Sequence, residues 1–252
     1  MNYKQWRIRS LVVLTVVLLL LTGMKLSYGW ICVPAIIFLF IIIRGVIQIQ
    51  RNFFINSINH LPEPFIDNKP AVCLTFDDGI HPELTNIVLD ILRTQEVKAM
   101  FFIIGRQISG NEHILRRIDD EGHLIGNHSD SHAFWFDLWS AESMLKDMLS
   151  MNRRVAHVLG KSYAPVYFRP PYGVTNPNVA KAIRQSKMKS VGWDLRSMDT
   201  VARSKEEVLE TLKKKTRAGC IVLLHDRCRH TVDTLTDYIV FCKSQGYTFT
   251  TL

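Results

Sequence analysis

Two aliphatic runs open the chain, Leu11–Leu21 and Trp30–Ile43, and after them short apolar runs alternate with amphipathic stretches. The run Pro70-Ala-Val-Cys-Leu-Thr-Phe76 has the length and composition of a buried strand. A helix is expected over about 83–95, with Pro82 at its first turn and Ile87, Leu89, Ile91 and Leu92 as its apolar face. A strand follows over 98–104, then a helix over about 111–121 with Ile114, Leu115 and Ile118 as its stripe. The pattern continues through a strand in Val191–Asp199 and another in Cys220–Asp226. Strands separated by helices of this length pair in parallel through crossovers, which predicts an α/β layered or barrel fold. Chemistry in such folds gathers at the carboxyl ends of the strands.

The two leading runs change the picture. Each approaches the roughly 20 residues of a membrane span once its weakly polar flanks are counted, and no small-residue cleavage site separates them. A two-helix hairpin over residues 1–50 is expected, the competing reading being one long tilted or broken span with the domain outside, with a connector at 51–69 and the catalytic domain at 70–252. Residues 1–62 hold six of the 31 cations and none of the 23 acids, leaving a domain with 25 cations against 23 acids. The net charge of +8 therefore belongs to the leading segment, and a near-neutral domain without basic runs excludes nucleic acid as a partner. Cations flank both outer ends of the hairpin, so the positive-inside bias puts the domain on the cytoplasmic face of what we take to be a bacterial inner membrane. Five cysteines with no paired spacing fit a reducing compartment.

Candidate chemistry lies at five strand ends. Thr75-Phe-Asp-Asp-Gly79 ends a strand in two carboxylates, either a turn or a pair with separate duties as metal ligand and proton acceptor. In Gly126-Asn-His-Ser-Asp-Ser-His132, two histidines four apart would share one face of a helical turn, a spacing suited to one metal ion. Phe168-Arg-Pro-Pro-Tyr-Gly173 sets a cation before a rigid double proline and a turn. Val191–Asp199 ends in polar residues, and Cys220-Ile-Val-Leu-Leu-His-Asp226 delivers His225 to the end of an aliphatic strand.

In this order the five stretches resemble the NodB-homology domain of the polysaccharide deacetylases, carbohydrate esterase family 4. The resemblance covers about residues 70–250 and is most specific at Thr75–Gly79, His81-Pro82, Lys98–Phe102 and Gly122–His128. It implies a distorted (β/α) barrel with fewer than eight regular strands. It also implies a divalent metal, Zn²⁺ first and Co²⁺, Ni²⁺ or Mn²⁺ as alternatives, held by Asp78, His128 and His132. By the same match Asp77 is the general base, Arg169 pairs with it, His225 protonates the departing amine, and Asp199 orients His225. Tyr172, with Pro171 and Trp193, falls at oxyanion- or substrate-binding positions. The implied reaction is hydrolysis of an N-acetyl or other N-acyl group on an amino sugar, in a polysaccharide or a lipid-linked glycan. The competing reading is a silent carbohydrate-binding or assembly protein that keeps the fold.

The chain departs from the family pattern at Ile80 and Met100, where proline and threonine are usual, and at Arg196-Ser-Met-Asp-Thr200, where the family commonly has Asp-x-x-Asp-Trp. The last departure alters the wall of the substrate groove. Phe134-Trp-Phe-Asp-Leu-Trp139 is either a helix start packed on the barrel or a lip at a membrane interface, where tryptophan is enriched. With the leading hairpin, the second reading suggests membrane lipid as a partner and a lipid-linked sugar as substrate.

Overall fold

The computed structural model describes residue 17 and residues 28–160 and 165–252. Its first described helix, α1, spans Tyr28–Ile47 and contains the second aliphatic run. The first run, apart from Val17, lies outside the described residues. Among the described residues no helix is long and apolar enough to cross a membrane, so the two expected spans find no support there.

The domain alternates as expected. Strand β1 (Phe65–Ile66) turns into β2 (Lys69–Gly79), followed by α2 (Leu84–Thr94), β3 (Met100–Ile103), α3 (Glu112–Asp120), β4 (Leu124–Asn127) and α4 (Ala141–Leu159). Then come β5 (Tyr167–Phe168), α5 (Pro177–Ser186), β6 (Lys189–Ser190), β7 (Leu195–Arg196), α6 (Lys205–Lys215), β8 (Ile221–His225), α7 (Arg229–Ser244) and β9 (Thr248–Phe249). Seven strands form one parallel sheet in the order β6-β5-β4-β3-β2-β8-β7. Its two edges, β6 and β7, are joined by residues 191–194 alone, so the sheet must curl until its edges meet. That is the distorted barrel the resemblance implied.

The fourth stretch differs from its expectation. It is not one strand over 191–199, because the chain crosses there from one edge of the sheet to the other. Backbone bonds from Ile58 to Ser190 and from Gly192 to Ile58 tie the crossing to the segment before β1.

The strands are buried on both faces, as parallel strands covered by helices must be. Along β2, Val72, Leu74 and Phe76 join the large core beneath the helices. Ala71 and Cys73 point the other way, into a smaller core inside the barrel with Met100, Phe102 and Ile221. Alternation along the strand then delivers Thr75 and Asp77 to the interior as well.

Candidate active site

Asp77 reaches the interior by simple alternation, but Asp78 would follow Phe76 toward the helices. It does not, because Asp78 adopts a left-handed backbone (φ 68°) and the pairing of β2 with β3 shifts between Asp77 and Gly79. A bulge of this kind turns one residue out of the pleat. Both carboxylates therefore line one cavity of about 440 Å³, together with His128, His132, Tyr172, Trp193 and His225.

The floor is built around Arg169, which has no exposed surface. Its Nη1 donates to Asp77 Oδ1 at 2.6 Å and to Thr75 Oγ1 at 2.8 Å. Its Nη2 donates to Gly192 O at 2.7 Å and its Nε to Val191 O at 3.3 Å. The guanidinium lies over the Phe102 ring, 4.1 Å from the centroid. Phe102 can sit there because its neighbour on β4 is Gly126, where a Cβ would stand 2.5 Å from the ring. A buried guanidinium is tolerated only when its donors are satisfied in this way.

His128 and His132 converge, but not on a helix as the spacing suggested. The segment after β4 is a tight loop in which Ser129 (φ 66°) and His132 (φ 46°) are left-handed. Buried Asn127 holds its start by donating to Met148 O and Asn152 Oδ1 and accepting from the Ser129 amide. The Asp147 carboxylate on α4 accepts from the Asp130 amide at 2.7 Å. The imidazole rings end 4.8 Å apart.

Asp78 Oδ1 lies 3.5 Å from His128 Nε2 and 3.4 Å from His132 Nε2. The three residues offer ligand atoms that all lie within 4.8 Å of one another. The donor set, one carboxylate and two imidazoles, suits a zinc-like divalent ion with positions left open for water and substrate. His128 Nδ1 is 2.7 Å from Arg169 O, a contact that makes Nδ1 the protonated nitrogen and leaves the Nε2 lone pair facing Asp78. Burial pushes His132 down to about 4, so its imidazole is neutral near pH 7, as a ligand must be. Burial alone would raise Asp78, but hydrogen bonding to His128 and the charges of the nearby histidines hold it well below the usual carboxylate range.

On β8, His225 is paired in register with Asp77 of β2, which brings these two groups to one level of the barrel. His225 Nδ1 is 2.9 Å from Asp199 Oδ1, and its amide donates to Asp199 Oδ2 at 2.8 Å. Burial would lower the imidazole, but the Asp199 carboxylate outweighs it and the His225 pKa is raised. Asp199 is itself buried yet lowered, through His225 and the Thr231 hydroxyl.

Tyr172 sits in the turn Pro171–Gly173 with a left-handed backbone (φ 59°) and its ring 4.7 Å from that of His132. Trp193 lines the cavity and packs on Gly173, where a Cβ would stand 2.3 Å from the indole. Pro171 is buried and does not line the cavity, so its place in the substrate-binding set is corrected to support of the turn.

Sequence reasoning missed Arg106, Gln107 and Arg227, which also line the cavity. Arg227 Nε donates to Asp78 Oδ2 at 2.8 Å, the oxygen turned away from the histidines. The signal available was position alone, since Arg106 follows the end of β3 and Arg227 follows His225-Asp226.

Comparison with known proteins places this arrangement. The polysaccharide deacetylase family model matches residues 66–191. The chain belongs to that family. It is 33% identical over 186 residues to the peptidoglycan-N-acetylmuramic acid deacetylase PdaA of Bacillus subtilis, covering 72% of this chain and 69% of that protein. It is 30% identical to the peptidoglycan-N-acetylglucosamine deacetylase PgdA of Listeria monocytogenes over 81% of its own length, but spans only 43% of that protein. The solved structure of peptidoglycan deacetylase PdaC from Bacillus subtilis is similar, with a TM-score of 0.69 and 31% identity over 75% of this chain and 90% of that one. Family membership makes the chain a hydrolase of the linear amide C–N bond of acetylated sugars. A CE4 family pseudoenzyme from Bacillus anthracis has the same fold (TM-score 0.65, 27% identity over 73% of this chain and 64% of that one). The fold by itself thus leaves room for silence, and the weight falls on the side chains in the cavity.

Proposed function

We propose that this protein is a membrane-anchored, metal-dependent N-deacylase of an N-acetylated amino sugar, carried in peptidoglycan or on a lipid-linked glycan. One observation carries the reading: Asp77, held by Arg169, and His225, held by Asp199, line the same cavity as the Asp78, His128 and His132 set. A divalent ion bound there would act as a Lewis acid on the acyl carbonyl and lower the pKa of water. Asp77 Oδ2, the oxygen not held by Arg169, takes the proton of a water whose oxygen attacks the acyl carbon. The family match makes the Tyr172 amide the donor to the negative charge that develops on the carbonyl oxygen. His225 gives its Nε2 proton to the sugar nitrogen as the C–N bond breaks, and the products are a carboxylic acid and a free amine. Asp199 accepts from the His225 Nδ1–H, and its charge favours the doubly protonated imidazolium, the form that carries a proton on Nε2.

The same residues argue against a silent carbohydrate-binding module, which has no use for a buried base paired with a buried arginine and for an oriented acid. Acetate release from an N-acetylated glycan is expected to be chelator-sensitive and to fall by about 10²–10⁴-fold in D77N and in H225A. Turnover that survives both substitutions would overturn the roles given to Asp77 and His225, and a wild-type protein that binds no divalent ion and releases no acetate would sink the hydrolytic reading in favour of the silent one.

Two surfaces support the membrane anchor. Helix α1 exposes Ile36, Ile37, Leu39, Phe40, Ile43 and Ile47, and its end is bonded to the loop that follows Tyr172, through Thr175 to Val46 O and Gly45 O. Beside the cavity Phe134, Trp135 and Leu138 are exposed, while Phe136 is buried in the core shared with Val46 and Phe53. The six-residue stretch therefore divides between its two readings, Phe136 packing on the barrel and its neighbours forming a lip. Helix and lip flank the same opening, which suits a site held against a bilayer. The cytoplasmic face and a reducing compartment follow from the flanking cations and unpaired cysteines. An S244C substitution in a C32S/C228S background tests the orientation. Labelling by an impermeant thiol reagent in intact cells would move the domain to the outer face and leave polymeric peptidoglycan as its substrate.

A further inference from the structure

The catalytic reading uses Asp77, Asp78, Arg169, the histidines and Asp199, and leaves three arginines around the cavity without a task. Arg106 follows β3, Arg196 ends β7 and Arg227 follows β8, so three different strand ends each send a guanidinium to the same opening. All three are exposed. Arg227 pairs with Asp78 through Nε, whereas Arg106 and Arg196 have no acidic partner among the described residues. Among the described residues the acids lining the cavity are Asp77 and Asp78, and both are already engaged, the first with Arg169 and the second with Arg227 and the two histidines. A mouth with three cations and no uncommitted acid carries a positive potential that favours a negative ligand. Arg196 and Thr200 both line this wall, at two of the positions where the chain departs from its family's pattern, and at the first of them a cation replaces an acid at the opening.

We infer that the substrate is an anionic amino sugar, carrying an oxyanion close enough to the N-acyl group to be bound by Arg106, Arg196 and Arg227 while the amide sits between Asp77 and His225. Guanidinium groups suit a carboxylate or a phosphate because their paired N–H donors match two oxygens at once. Two sources of that oxyanion fit the cavity's chemistry, a lactyl carboxylate ether-linked to the sugar and a phosphate on its anomeric oxygen. The inference rests on the N-deacylase reading and adds the charge of the substrate to it.

The test compares three N-acetylated sugars: a neutral glucosamine oligomer, the same sugar with a 3-O-lactyl carboxylate, and the same sugar as its 1-phosphate. The wild-type protein is expected to show higher kcat/KM for one of the anionic sugars than for the neutral one, and the preferred form names the source of the charge. In R106Q/R196Q the anionic-to-neutral ratio is expected to fall about ten- to a hundred-fold, the loss of charge-assisted hydrogen bonds. Raising salt from ~0.05 M to ~0.5 M is expected to reduce the same ratio in the wild type, which needs no variant to fold. Equal or greater kcat/KM on the neutral oligomer, with a ratio indifferent to salt and to both substitutions, overturns the inference while leaving the hydrolase intact. If no sugar is turned over, the hydrolytic reading has failed instead. Dissociation constants for the same three sugars then decide the charge preference by the same ratio.

Discussion

At the floor of the cavity Arg169 has no exposed surface and its Nε, Nη1 and Nη2 atoms all have partners. At its mouth Arg106, Arg196 and Arg227 are exposed and hold a single ion pair among the described residues. The two regions use the same side chain under opposite constraints. A charge with no access to water must be matched by fixed protein groups, so the floor's partners are set by the fold and a change to one leaves another stranded. A charge at the surface is matched by water and ions, so the mouth can be rewritten at little cost to stability. In this chain the proposed machinery is on the floor, and the departures at Arg196 and Thr200 are at the mouth, whereas those at Ile80 and Met100 are buried in the core.

The sharpest way to break that comparison is to empty the floor. R169A leaves Asp77 buried with its main partner gone, and a loss of about 3–5 kcal/mol in unfolding free energy is expected, measured by denaturant unfolding. R106A and R196A are expected to stay within about 0.5 kcal/mol of the wild type. If R169A unfolds no more easily than R106A, floor and mouth are not distinct.

The floor was the part legible in the sequence. A strand that breaks off at Asp77-Asp78, a histidine after four aliphatic residues, and an arginine before two prolines each violate the expectation for a surface or a core; the first two line the cavity and the arginine bonds to Asp77 beneath it. Their local geometry was less legible. Four-residue spacing of His128 and His132 fits a helix, and nothing in Asn127–His132 announces that Ser129 and His132 are left-handed, because neither is a glycine. The stretch 191–199 reads as one strand, since the reason it is not is the meeting of two distant sheet edges, a property of the whole topology. The mouth arginines gave no signal by composition, because an exposed arginine is the commonest place to find one.

A second test probes a buried acid behind the floor. Asp226 is almost fully buried; its Oδ2 accepts from Thr85 Oγ1 at 2.6 Å and its Oδ1 has no partner. Burial pushes its carboxyl up from 3.8 to about 7. A raised folded value means the folded state binds the proton more tightly than the unfolded one, so stability is fully present below about pH 4 and is lost as pH rises toward 7. The loss expected in chelator-treated protein is roughly 2–4 kcal/mol across that window. D226N should abolish this contribution and be the more stable protein at pH 8. A wild type whose stability is flat between pH 4 and 7 in the absence of metal would show that Asp226 is matched after all.

The smallest expected effect falls on the group that joins the two regions. His225 is part-buried, bonded to buried Asp199 on one side and facing the cavity on the other. Its raised pKa opposes the burial that would lower it, and the hydrogen bond and charge of Asp199 are the largest of the opposing influences. As the proposed acid it must carry its proton into the reaction, so the alkaline limb of the kcat profile reports its titration in the bound complex. D199N keeps the shape of the carboxylate and removes its charge, so the His225 pKa is expected to fall and the alkaline limb to move to lower pH. The sign is the informative part. A structural loss would scale the whole profile down without moving its limb, and an unmoved limb would mean that water at the mouth, rather than Asp199 behind it, governs His225.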